Sequence, residues 1–220
     1  MKKIFLLFVI VSITFVIFSC DKITNNDCVK GSKNIVYENR ILPDFHSIIS
    51  NGSGNFYISQ GQTDSLIIGT DDNILPLIHT SVNNGKLYIE SESICPTQLN
   101  YRVYMKSIRQ FSLGGSGNIV ASDTIHTDNL NIDIDGSGTV DLFGTSGIYS
   151  VSLNGSGNIE LMNFITDSAQ VTVNGSGTIR VNATKYLYAY INGSGNIYYK
   201  GNPIVKNLKI NGSGQIINVP

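Results

Sequence analysis

The chain has 220 residues, with 15 Lys and Arg against 16 Asp and Glu, and only 14% of it is charged. A highly charged disordered chain is excluded, and a formal net charge of -1 leaves no basic field for binding nucleic acid through its phosphates. With so few charges, 22 Gly, 5 Pro and no Trp, the polar surface must be carried by Asn, Ser, Thr and Gly.

The first element is a leader. Lys2 and Lys3 precede an apolar run from Ile4 to Phe18, the layout of an export signal. The run falls short of the roughly 18 to 20 apolar residues that a permanent membrane helix needs. Ser19-Cys20 follows at once. A small residue before Cys at the end of such a run resembles the bacterial lipoprotein signal, in which the Cys becomes the lipidated N-terminus. Residues 1–19 are read as a lipoprotein signal peptide and Cys20 as the lipidation site, through which the protein is held on a membrane. Simple secretion is the alternative.

Residues 20–34 are polar and read as a flexible tether. Cys28 and Cys95 remain, and in an oxidising compartment they permit one disulfide, with two free thiols as the alternative. Within residues 35–110, Asp72-Asn73 is expected to cap a short helix carrying Ile74, Leu75, Ile78 and Val82, with Pro76 in its first turn. Lys86 to Glu90 and Tyr101 to Met105 alternate as strands. This stretch is read as the irregular first half of a domain covering residues 35–220, partly closing one end of its more regular second half.

The strongest pattern in the chain is a repeat. Gly-Ser-Gly begins at Gly52, Gly115, Gly136, Gly155, Gly175, Gly193 and Gly212, and the last five intervals are 21, 19, 20, 18 and 19 residues. A sustained period near 20 marks a solenoid. Apolar residues stand two before the motif (Leu113, Ile134, Leu153, Val173, Ile191, Ile210) and four before it (Phe111, Ile132, Val151, Val171, Ala189, Leu208). The pattern resumes after it with Ile119, Val140, Ile159, Ile179, Ile197 and Ile216. Period-two alternation on both sides of a glycine bend gives strand, bend and strand, followed by a second, more variable turn. A coil of about 19–20 residues has no room for a regular helix, so each strand must stack on its equivalent one coil away, in parallel. The fold class is all-β, a parallel β-helix with a less regular N-terminal half that contains one short helix. Asn51, Asn154, Asn174, Asn192 and Asn211 precede the bends, and Asn55, Asn118, Asn158 and Asn196 follow them. Such columns suit amide ladders along the axis. The first interval, 63 residues, is close to three periods and leaves room for degenerate coils. Ile49 stands three residues before Gly52 rather than two, which predicts a bulge or a local shift.

Gly-Ser-Gly-Asn-Ile at residues 115–119, 155–159 and 193–197, Asn73-Ile74-Leu75-Pro76 followed by Asn84-Gly85-Lys86-Leu87, and the lipoprotein-like start resemble the auto-transporter adhesin head GIN domain family of Bacteroidetes. The resemblance spans residues 35–220. It implies a right-handed β-helix and an address in the envelope of a Gram-negative bacterium, at the outer membrane or cell surface. It brings no catalytic residues.

Motifs for chemistry are weak. No Gly-Ser-Gly copy completes a dinucleotide or phosphate loop, none makes a nucleophile elbow, and the calcium nonapeptide is missing. His46, His79 and His126 lack metal-ligand spacing, so neither a metal nor a cofactor is expected. Asp141, Glu160 and Arg180 share an outward column, with Asp133 and Asp135 near the first. A polysaccharide lyase or hydrolase using two of these carboxylates is the enzymatic alternative, against a surface ion pair between Glu160 and Arg180. Binding has better support. Tyr186, Tyr188, Tyr190, Tyr198 and Tyr199 cluster within fourteen residues, and alternation turns Tyr188, Tyr190 and Tyr198 outward, as a glycan or protein ligand would need. At the other extreme, Gln215 to Pro220 leaves a sheet edge with Ile216, Ile217 and Val219 through which copies of the chain could associate. The expected role is a non-catalytic, lipid-anchored envelope protein presenting an adhesive surface, with a purely structural self-associating protein as a further alternative.

Overall fold

A computed structural model describes residues 28–220; the leader, Cys20 and the tether up to residue 27 lie outside the described residues. From Gln110 onward the chain winds as a parallel β-solenoid with three strand-lined faces. The first face stacks Gln110–Gly115 on Ile125–Gly136, then on Gly144–Gly155, the C-terminal part of Asn158–Gly175, that of Thr178–Gly193, and Val205–Gly212. Beyond the Gly-Ser-Gly bend, the second face stacks Asn118–Ala121, Thr139–Asp141, the beginnings of the next two strands, Asn196–Lys200 and Gln215–Asn218. A short third face runs through residues 125–127, 144–146, 164–166 and 182–183.

The alternation of the sequence accounts for this packing. Leu113, Ile134, Leu153, Val173 and Ile191 stack in register, as do Phe111, Ile132, Val151, Val171 and Ala189, and all are buried. Ile119, Val140, Ile159, Ile179 and Ile197 line the second face from inside. Each fully buried aliphatic side chain contributes about 1.5–3 kcal/mol relative to exposure. In the last rung the inward side chains have no coil above them, and Leu208 and Ile210 are 42% and 47% exposed.

The bend explains both glycines of the motif. Gly155 has φ +146°, outside the region available to other L-residues, and a Cβ there would overlap the carbonyl oxygen of Gly136 one coil away. At Gly157 a Cβ would overlap the carbonyl oxygen of Gly138. Ser156 is exposed and ties in through its backbone, donating from N to Gly136 O at 3.0 Å. The flanking amides form ladders. Asn154 donates to Asp135 at 2.6 Å and accepts from Asn174 at 2.7 Å; after the bend, Asn118 donates to Asn55 at 2.8 Å and Asn55 to Asn100 at 3.1 Å. Coil length is adjusted away from the bends. The shifts between Asn158–Gly175 and Thr178–Gly193 fall at Leu161/Ile165 and Thr166/Ser168. There the buried Tyr149 hydroxyl accepts from Asn182 N at 3.1 Å, and burial raises its pKa above the ordinary phenol value.

The N-terminal half differs from the expected degenerate coils. Ser47–Ser50 and Asn55–Gln60 pair directly with Gln110–Gly115 and Asn118–Ala121, so the first two Gly-Ser-Gly bends are neighbours despite their separation in sequence. The intervening chain crosses to the other side of the first coil. There Lys86–Ser91 and Leu99–Met105 add one further parallel rung. Antiparallel strands then close its edges: Ile78–Asn83 on Lys86–Ser91, Ser65–Asp71 on Leu99–Met105, and Ile35–Arg40 on Ser65–Asp71. This is the cover expected at one end of the solenoid, built as an antiparallel cap.

Three local expectations are corrected. Ile48, not Ile49, aligns with Phe111, and buried Ser50 takes the inward position of Leu113, so the register runs through without a bulge. The expected helix from Ile74 is one 3-10 turn, Leu75–Leu77, followed by the strand Ile78–Asn83. The residues expected to cap it are engaged elsewhere: Asp72 accepts from Ser32 Oγ and Asn34 Nδ2, and Asn73 accepts from Ser32 N and donates to Lys30 O. Asp71 accepts from Lys33 N, Thr97 N and Thr97 Oγ1 at 2.7, 2.8 and 2.7 Å. Residues 28–34 are therefore fastened to the domain rather than forming the end of a tether. Cys28 joins Cys95 in a disulfide, and Val29–Lys30 pairs with Ile94–Cys95.

Candidate functional site

Outward positions on the three faces are the surfaces left for recognition. On the first face, register places Gln170, Tyr188 and Asn207 in one column and Thr172, Tyr190 and Lys209 in the next. These six side chains line a shallow depression of about 270 Å³. Tyr188 is 43% exposed and Tyr190 half-buried, with Lys209 Nζ 5.6 Å from the Tyr190 ring centroid. The arrangement offers aromatic faces beside amide, hydroxyl and ammonium groups, a combination suited to sugars or to a polar protein surface. Tyr186, also exposed, lies earlier on the same strand, whereas Tyr199 is in the core.

Tyr198 is not part of that depression. It stands on the second face, where the Arg180 guanidinium lies 4.4 Å from its ring centroid. Arg180 also approaches Glu160 at 3.6 Å, with both side chains more than two-fifths exposed. An exposed pair of this kind contributes about 0.2–1 kcal/mol. Asp141 is exposed in the same column, one coil before Glu160. Asp141, Glu160 and Arg180 line none of the three described cavities.

A wider groove, about 1100 Å³, runs along the third face, where the sequence gives no warning of it. Thr127, Ser146 and Thr166 stand in register along it, and Thr184 follows beside Ala183, the residue aligned with Thr166. The hydroxyls are occupied internally: Thr127 Oγ1 donates to Ile108 O, Thr166 Oγ1 to Gly147 O, and Thr184 Oγ1 to Thr166 O. Two of its charges, Lys106 and Asp167, are paired, whereas Arg109 and Asp128 make no ion pair among the described residues. Lys106 bonds Asp44 at 2.6 Å, which raises the Lys106 pKa. Lys185 bonds Asp167 at 2.9 Å, and this hydrogen bond lowers the Asp167 pKa. The threonine hydroxyls along the groove thus serve the backbone of the second turn. His46 and His126 bond Ser47 and Thr145 through Nδ1, and no cluster of three or more His, Cys, Asp or Glu suited to a metal occurs among the described residues.

Among solved structures, the chain is similar to a "putative adhesin" from Bacteroides fragilis, at 27% identity and a TM-score of 0.73, covering 87% of this chain and 100% of that one. A "putative lipid binding protein" from Parabacteroides distasonis is 25% identical with a TM-score of 0.50, covering 87% and 99%. Another "putative adhesin" from Parabacteroides distasonis, 23% identical with a TM-score of 0.54 over 88% and 100%, supports the fold. No curated protein matches. The family profile described as "Putative auto-transporter adhesin, head GIN domain" matches residues 44–203, which include the inner rungs, the Asn ladders and every Gly-Ser-Gly bend but the last. The chain belongs to the auto-transporter adhesin head GIN domain family.

Proposed function

We propose that the protein is a non-catalytic adhesin of the bacterial envelope, exported by its leader, anchored through lipid on Cys20, and binding glycan through the Tyr188 and Tyr190 face. The observation that carries the reading is the depression where these two rings stand beside Gln170, Thr172, Asn207 and Lys209. The family and its adhesin-described structural neighbours support an adhesive role at the cell surface. Tyr198, held under Arg180 on another face, drops out of the proposed contact surface.

The test is retention of the full-length protein, in detergent, on a panel of immobilised host and bacterial polysaccharides, with chain cleavage scored in parallel. Retention without new reducing or unsaturated ends, lost in Tyr188→Ala, Tyr190→Ala and kept in Tyr198→Ala, is the expected result. New chain ends would restore the enzymatic reading and direct attention to Asp141 and Glu160. Mass spectrometry of the N-terminal peptide tests acylation of Cys20.

A second reading, self-association through the last rung, is favoured by the exposure of Leu208 and Ile210. Lys206 opposes it by occupying the inward position that Leu187 fills one coil earlier, a device that discourages edge pairing. Sedimentation over a concentration series separates a stable dimer from a monomer.

A further inference from the structure

At the capped end of the second face lies a third cavity, about 320 Å³, lined by Tyr57, Ser59, Asn100, Arg102, Tyr104 and Ser122. Its volume is at the lower end of the range for small-molecule sites. Register sets its geometry: Tyr57 is opposite Arg102 and Ser59 opposite Tyr104. The two rings therefore sit diagonally across the rung, with Arg102 opposite Tyr57 on the strand that also carries Tyr104. Tyr57 and Tyr104 are 38% and 40% exposed. No lining residue is acidic, and among the described residues Arg102, like Arg109, makes no ion pair, whereas Arg40 and Arg180 each face a carboxylate. Arg102 instead rests 6.0 Å from the Tyr37 ring centroid, a contact that supports the guanidinium without neutralising it. Asn100 accepts from Asn55 through its oxygen and donates no hydrogen bond from its Nδ2 among the described residues, which leaves that donor available. Ser59 and Ser122 add hydroxyls.

An unpaired guanidinium matches a carboxylate through two parallel hydrogen bonds. Tyrosine rings beside it match the apolar face of a pyranose, and hydroxyl and amide groups match its hydroxyls. We infer that this cavity binds a uronic-acid residue of an acidic polysaccharide, with Arg102 on the carboxylate and Tyr57 and Tyr104 against the sugar ring. The site is separate from the Tyr188 and Tyr190 face, so either can fail without the other.

The experiment is titration calorimetry of the full-length protein in detergent with trigalacturonate and with its fully methyl-esterified form, which keeps the sugar and removes the charge. Trigalacturonate should bind, more weakly as salt rises, and the ester should bind at least about 10-fold less tightly, as expected for loss of a charge-assisted pair. Arg102→Gln should lose affinity for the acid by a similar factor with an unchanged melting temperature. Tyr104→Ala should weaken acid and ester alike, and Tyr188→Ala, Tyr190→Ala should change neither. The inference is overturned if trigalacturonate does not bind, if acid and ester bind equally, or if Arg102→Gln retains full affinity. It is equally overturned if the Tyr188, Tyr190 variant abolishes binding, or if an oligoglutamate peptide binds as tightly as the sugar.

Discussion

Replacing Gly155 by Ala tests the account of the bend directly. The backbone there has φ +146°, and holding a residue with a side chain in such a conformation costs about 1–3 kcal/mol. The new Cβ would also overlap the carbonyl of Gly136, a rigid backbone group that accepts the Ser156 N–H. Relief requires two coils to separate within a ladder of paired residues, and overpacking of this kind costs about 1–3 kcal/mol. The two effects together predict a loss of about 2–6 kcal/mol, or about 5–20 °C in melting temperature for a domain of this size. Ser156→Ala is the control, because the side chain is exposed and its backbone bond survives; a change within about 0.5 kcal/mol is expected. Thermal and guanidinium denaturation of both variants gives the comparison. The reasoning fails if Gly155→Ala is as stable as the wild type, or if Ser156→Ala is as damaging.

Asn154→Ala removes one bond given to Asp135 and one received from Asn174, and should cost about 1 kcal/mol in guanidinium denaturation; no loss would make the ladder incidental. At Asp71, burial pushes the carboxyl pKa up, but hydrogen bonds from Thr97 and Lys33 outweigh it and leave the value below the ordinary one. A depressed folded pKa means stabilisation that is complete above the ordinary carboxylate pKa of about 3.9 and is lost as pH falls through the lower folded value. The melting-temperature gap between wild type and Asp71→Asn should therefore stay flat from neutral pH down to about 4 and narrow below it; narrowing as pH rises would refute the assignment. Lys206→Leu removes the inward charge of the last rung and should produce concentration-dependent association in sedimentation velocity, and a variant that sediments as the wild type does at every concentration would show that the charge is no guard.

The solenoid was legible because a coil must repeat its inward side chains and its bend. Leu153 and Val173 occupy equivalent space one coil apart, and the carbonyl of Gly136 excludes a Cβ at Gly155, so neither position can drift without loss of packing. A cover at one end was expected, but its strand pairing was not legible, for the opposite reason. Its strands meet partners far away in sequence and in both directions, as where Tyr37 faces Gly69 and Ile67 faces Arg102. No period records such pairing. Ser50 hid the register of the first coil because a buried hydroxyl took an apolar position. Asp72-Asn73 read as a helix cap because its actual partners, Ser32 and Asn34, lie about forty residues upstream.

The same distinction governs the sites. An outward column is constrained only by solvent, so a composition cluster such as Tyr186 to Tyr199 marks a stretch of chain without saying which rings share a surface. Register does say it: Tyr188 and Tyr190 point from the first face, and one bend later Tyr198 points from the second. Arg102 had no sequence signal, since Tyr57 comes from a strand that precedes it by an excursion through Ser65–Asp71 and Lys86–Ser91. The pairing of Asn55–Gln60 with Leu99–Met105 brings the two together. In a solenoid the repeat therefore predicts the scaffold, and places where the chain leaves the repeat bring unrelated outward residues side by side. The cavity at Arg102, on a rung added by such a departure, is where this chain's recognition chemistry departs furthest from its own repeat.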